Sequence, residues 1–124
     1  MKNSTFRESF RHAINGIKII FRQEKNMRIH LAMTILVVLC AVIFGLTPAE
    51  KAIVIALCAL VIGAELINTA IENTVNISTA VFNMYAKQAK DAAAGAVLVI
   101  SIGAAIAGLI IFVPYGLNFL KQLI

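Results

Sequence analysis

Three long apolar runs constrain this chain more than any other feature. Ile29 to Leu46 is apolar over 18 residues apart from His30 at its edge and Thr34. Lys51 opens a second run, uninterrupted from Ala52 to Ala64, that continues with polar residues on one side to about Ala80. Ala92 to Pro114 forms a third run of 23 residues in which Ser101 is the lone hydroxyl. A helix needs about 20 mostly apolar residues to cross a bilayer. The expected fold is therefore an all-α integral membrane protein, one unit over residues 1–124. Its spans should lie near residues 28–46, 50–80 and 88–115.

Composition excludes the alternatives. Hydrophobic residues make up 60% of the chain and charged residues 14%, against roughly 45–50% and 25% in ordinary soluble domains. The mean hydropathy is +0.91. A soluble domain this small cannot hide so much apolar side chain, and no length remains for a separate soluble catalytic domain. Cys40 and Cys58 both lie inside apolar runs without metal-ligand spacing, which reads as structural thiols and no disulfide.

Charge sets the orientation. Seven of the eleven Lys and Arg precede residue 30. Beside apolar spans, such a patch faces an anionic cytoplasmic membrane surface rather than nucleic acid. With three spans, the N-terminus and the link within residues 80–90 share a side, which then holds nine bases including Lys87 and Lys90. The other side holds Lys51 and Lys121. The expected topology is a multi-pass cell-membrane protein with a cytoplasmic N-terminus. A cleaved signal peptide fits poorly, because the first apolar run starts late and lacks a small-residue cleavage site. Thr47 before Pro48 should cap the second span.

The segment before the first span is two-sided. Phe6, Phe10, Ala13, Ile14, Ile17, Ile20 and Phe21 fall on one side at 100° per residue, and Arg7, Glu8, Arg11, Asn15, Lys18 and Arg22 fall opposite, with Ile19 out of pattern. An amphipathic surface helix over about residues 5–24 is expected. It either anchors the chain or also covers a site.

The acids are the chemically informative residues. Glu65 and Glu72 lie within the second apolar helix, where a charge costs about 2.5–3.5 kcal/mol at the bilayer centre. Glu65, Asn68, Thr69, Glu72 and Asn76 share an arc about 100° wide. At 1.5 Å per residue Glu72 lies roughly 31 Å beyond Lys51, near the cytoplasmic boundary, and Glu65 about 10 Å beneath it. Glu24, closing the surface helix, and Lys90-Asp91, opening the third span, belong at the same level. Three readings remain open from the residues alone. The stripe joins helices by hydrogen bonds, relays protons or ions, or serves an enzyme at the membrane surface. In the last case Glu24 and Glu72 suit a hard cation such as Mg²⁺. Glu65 suits a general base, and Lys90 with the surface-helix arginines suits phosphate oxygens. No phosphate-loop, zinc or nucleophile-elbow motif is present.

Three blocks carry a resemblance. Glu65-Leu-Ile-Asn68-Thr-Ala-Ile-Glu72-Asn-Thr-Val-Asn76 is similar to the signature of the prokaryotic diacylglycerol kinase/undecaprenol kinase family. So are Phe21-Arg22-Gln23-Glu24 with Asn26-Met-Arg28-Ile-His30-Leu31, and Ala86-Lys87-Gln-Ala89-Lys90-Asp91 through Leu98. The resemblance implies a homotrimer of three-span subunits with a surface helix, using Mg-ATP to phosphorylate a lipid alcohol. On matching positions it makes Glu65 the catalytic base and Glu24 and Glu72 the Mg²⁺ ligands. Asn68 arranges the site beside the lipid, and Asn76, Lys90, Asp91, Arg11 and His12 join Glu24 and Glu72 in binding nucleotide. The details resemble the undecaprenol kinase branch, with diacylglycerol as the alternative acceptor and a weakly active or non-catalytic homologue as a further alternative. Two positions depart from the family: Asn76 stands where Asp is usual, and Phe82-Asn83-Met84-Tyr85 replaces a Tyr-His-Pro-Leu run.

Overall fold

A computed structural model of the protein describes residues 5–78 and 81–124. Lys2, one of the N-terminal bases, and Thr79 and Ala80, the expected end of the second span, lie outside the described residues. Four helices follow in order: α1 (Phe6–Gln23), α2 (Lys25–Ile43), α3 (Pro48–Ser78) and α4 (Met84–Leu123). Among the described residues α2, α3 and α4 are each long and apolar enough to cross a membrane. The chain is a multi-pass, all-helical membrane protein.

Local chemistry sets each boundary. The Thr5 backbone N–H donates to the Glu8 carboxylate at 3.0 Å, satisfying one of the donors around the start of α1. A single residue, Glu24, separates α1 from α2, with extended backbone at φ −102°, ψ 121°. Arg28 folds back across this elbow and donates from Nη1 to the Arg22 carbonyl at 3.0 Å and the Phe21 carbonyl at 3.4 Å. It thereby closes the C-terminal carbonyls of α1.

The turn from α2 to α3 needs a glycine. Gly45 has φ +66°, a left-handed conformation that costs other residues energy. Around it, the Leu46 N–H donates to the Ala41 carbonyl and the Gly45 N–H to the Val42 carbonyl, both at 3.1 Å. This pair of bonds is the Schellman ending of a helix. Thr47 then caps α3, as the sequence suggests. Its backbone N–H and hydroxyl donate to Glu50 Oε2 at 2.8 and 2.7 Å, and the Glu50 N–H donates back to Thr47 Oγ1 at 3.3 Å.

α3 packs against both α2 and α4, and α1 touches α2 and α3. The core sits at the turn end, where buried Ala41, Leu46 and Val54 meet Phe44, Ile111, Phe112 and Tyr115. The Phe44 ring meets Phe112 and Phe119 edge-on at 6.4 and 6.0 Å. Tyr115 Oη donates to Glu50 Oε2 at 2.6 Å, tying α4 to the cap of α3. Two features differ from the sequence reading. Lys87 and Lys90 belong to the first turns of α4 rather than to a link, because the Asn83 side chain accepts from the Tyr85 and Ala86 N–H groups and starts the helix early. α4 also runs through Pro114 to Leu123. A proline inside a membrane helix is tolerated because neighbouring groups re-satisfy the backbone it frees.

Candidate active site

The end of α3 remote from the turn carries the polar stripe, and the structure divides it between two neighbours. Glu65 and Thr69 are the two buried polar side chains among the described residues, each 2% exposed. Thr69 Oγ1 donates to the Glu65 carbonyl at 3.0 Å, so its hydroxyl is satisfied within the helix. Ile62, one turn before Glu65, lines a small cavity with Ile17, Phe21, Met27 and Leu31 of α1 and α2. Residues three apart share a helix face, so Glu65 lies between Ile62, which faces α1 and α2, and Asn68, three residues on.

Asn68 adjoins Glu65 on the side toward α4. It is the single polar residue in a groove of about 430 Å³ between α3 and α4, lined by Gly63, Ala64, Ile67, Ala93 and Ala96 among others. The small residues of both helices leave the space open. The groove is apolar along its length and polar where Asn68 enters it.

One helical turn further, the stripe meets charge. Lys90 Nζ lies 3.2 Å from Glu72 Oε1 and donates to Asn76 Oδ1 at 3.1 Å. Glu72 and Asn76, four residues apart, share a face of α3 and grip one lysine of α4. Both charged side chains stay partly exposed, which leaves them reachable from water. The next residue, Asp91, turns away. It accepts from Lys87 at 2.9 Å, in a pair exposed on both sides.

The other expected residues occupy separate places. Glu24 is half-buried at the α1–α2 elbow, and its backbone N–H donates to the Ile20 carbonyl at 2.8 Å. Arg11 and His12 are exposed on α1, Arg11 in a recess that mixes Arg7, Glu8, Asn15 and Lys18 with Phe10 and Ile14. The structure thus joins Glu72, Asn76 and Lys90 directly and sets Glu65 and Asn68 along the same helix end.

Sequence reasoning did not single out Arg28, Tyr115 or the capping role of Asn83. Arg28 carried a signal, a base just beyond a helix C-terminus. Tyr115 carried none, since its partner lies 65 residues away.

The donor set suits a hard cation in one respect. Glu72 is a partly exposed carboxylate that already holds a positive group, the Lys90 ammonium. Among the described residues no three His, Cys, Asp or Glu side chains converge as a metal cage. That is compatible with Mg²⁺, which is commonly held by one or two carboxylates and completed by water and substrate phosphates.

Three candidate spans, a buried glutamate, an apolar groove and a carboxylate–lysine pair toward one end of α3 describe a membrane protein with a polar cluster on its helices. The prokaryotic diacylglycerol kinase family model matches residues 11–112, and the chain belongs to that family and is a lipid kinase. It is 42% identical over 109 residues to undecaprenol kinase of Bacillus subtilis, covering 88% of this chain and 89% of that one. It is also 36% identical over 107 residues to diacylglycerol kinase of Synechocystis, covering 86% of this chain and 61% of that one.

Proposed function

We propose that the protein transfers the γ-phosphoryl group of ATP to the hydroxyl of a membrane lipid alcohol at the cytoplasmic interface, with undecaprenol as the acceptor. The observation that carries this reading is the joining of Glu72, Asn76 and Lys90 one to two turns from buried Glu65 and the Asn68 groove. Phosphoryl transfer is catalysed chiefly by positioning and charge neutralisation, so a few side chains suffice without a nucleotide-binding domain.

The roles follow the resemblance of the matching positions to the family. The groove between α3 and α4 receives an apolar chain and brings its hydroxyl toward Asn68. Glu65 accepts the hydroxyl proton as the lipid oxygen attacks the γ-phosphorus and ADP leaves. Lys90 places its ammonium on phosphate oxygens, with Asn76 steadying it. Asp91, Arg11 and His12 complete the nucleotide contacts, and Glu24 and Glu72 are the residues that would hold Mg²⁺. When bound, that ion neutralises the phosphate charge.

The assembly is a homotrimer with α1 seated in the membrane surface. α1 exposes Phe6, Phe10 and Ile17 on one side, and α4 has no buried residue, so both present apolar faces for lipid and neighbouring subunits. The nine bases on the side of the N-terminus and the start of α4 support a cytoplasmic location for that side.

The 36% relative named a diacylglycerol kinase supports diacylglycerol as the second reading. Purified protein incubated with Mg-ATP and either lipid in micelles decides between them. Faster phosphorylation of undecaprenol is expected. Faster phosphorylation of diacylglycerol selects the second reading, and no product from either, with the protein folded, removes the phosphotransfer reading.

A further inference from the structure

We propose that Lys90 is the counter-ion of Glu72, and that it must release this carboxylate before Glu72 can hold a divalent cation. Metal and nucleotide then bind cooperatively through one lysine. The inference rests on the assignment of Glu72 to metal and of Lys90 to phosphate.

The geometry sets the two occupants in competition. Lys90 Nζ sits 3.2 Å from Glu72 Oε1. A Mg²⁺ ligated by that oxygen at about 2.1 Å would lie no more than about 5.3 Å from the ammonium. Three positive charges at that separation repel strongly in a partly desolvated site. Lys90 can leave, because its side chain is 35% exposed and rides on a flexible four-carbon stem.

Asn76 explains where the lysine goes. It accepts from the same Nζ at 3.1 Å but carries no charge. Lys90 can release Glu72 while still tethered to α3, and its full positive charge is then free for phosphate oxygens. Nucleotide phosphates draw the lysine away from Glu72 and so raise the affinity of Glu72 for metal. By linkage, metal at Glu72 raises nucleotide affinity by the same factor.

The test measures Mn²⁺ binding by electron paramagnetic resonance on the full chain in detergent, with and without a non-hydrolysable ATP analogue. Wild type, Lys90→Met, Lys87→Met and Glu72→Gln are compared. Lys87 is the control for bulk charge, since it lies on the same helix but pairs with Asp91. Wild type should bind Mn²⁺ weakly alone and more tightly with the analogue. Lys90→Met should bind Mn²⁺ alone about threefold to fivefold more tightly than wild type, the range expected for freeing a partly exposed ion pair, and should lose most of the enhancement by the analogue. Lys87→Met should stay within about twofold of wild type, as screening of an exposed charge allows. Unchanged or weaker binding in Lys90→Met, or an equal gain in Lys87→Met, overturns the inference alone. Binding that is undiminished in Glu72→Gln, or absent from wild type even with the analogue, removes the metal assignment itself and this inference with it.

Discussion

Glu65→Gln separates chemistry from packing because the two effects have opposite signs. Glu65 is 2% exposed and lies about 10 Å along the helix from Glu72. Gln keeps the shape of the side chain and removes its charge. Burying a charge in this setting costs up to about 3 kcal/mol, so the variant should be as stable as wild type or more so. The rate should move the other way. Loss of a general base lowers turnover about 100-fold to 10,000-fold, equivalent to about 2.7–5.4 kcal/mol on the barrier. The assay follows transfer of labelled phosphate from ATP to lipid in micelles, beside a thermal melt read by size-exclusion chromatography. A rate above one tenth of wild type shows that the carboxylate is not the base. A rate and a melting temperature that fall together show that Glu65 acts by packing.

Asn76→Asp adds a second carboxylate to the grip on Lys90, so the KM for ATP should rise about threefold, the scale of one partly exposed ion pair; a lower KM would contradict a tether role for the neutral amide. Gly45→Ala forces a side chain into left-handed backbone at φ +66° and should destabilise the chain by about 1 kcal/mol, seen as a lower melting temperature with kcat per folded molecule unchanged. Tyr115→Phe removes the 2.6 Å bond to Glu50 and should lower the melting temperature without changing the KM for ATP; an unchanged melt would show that the aromatic contacts alone hold that end.

The spans and the stripe were legible because both are local patterns. Apolar runs count residues, and Glu65, Asn68, Thr69, Glu72 and Asn76 stand out against Leu, Ile, Val and Ala at helical spacing. The division of that stripe was not legible. An arc about 100° wide spans two neighbours, and only packing shows that Glu65 and Thr69 are enclosed while Asn68, Glu72 and Asn76 meet α4. Lys90 and Asp91 read as a pair, yet consecutive helical residues point about 100° apart. Asp91 therefore finds Lys87 four residues back, and Lys90 finds α3. The early start of α4 depends on one Asn83 cap within Phe82-Asn83-Met84-Tyr85, where no apolar period marks a helix. The elbow at Glu24 likewise depends on Arg28 reaching back over two carbonyls.

The two ends of the α3–α4 pair are fastened unequally, and leverage follows. Rings, a phenol–carboxylate bond and enclosed aliphatic side chains pin them near Glu50, whereas one solvent-accessible lysine bridges them beside Glu72. The arm from Glu50 to Glu72 is roughly 33 Å. A splay of only about 5° at the pinned end therefore parts the tips by about 3 Å over such an arm. Any splay of the pair would open it widest where the phosphates would enter.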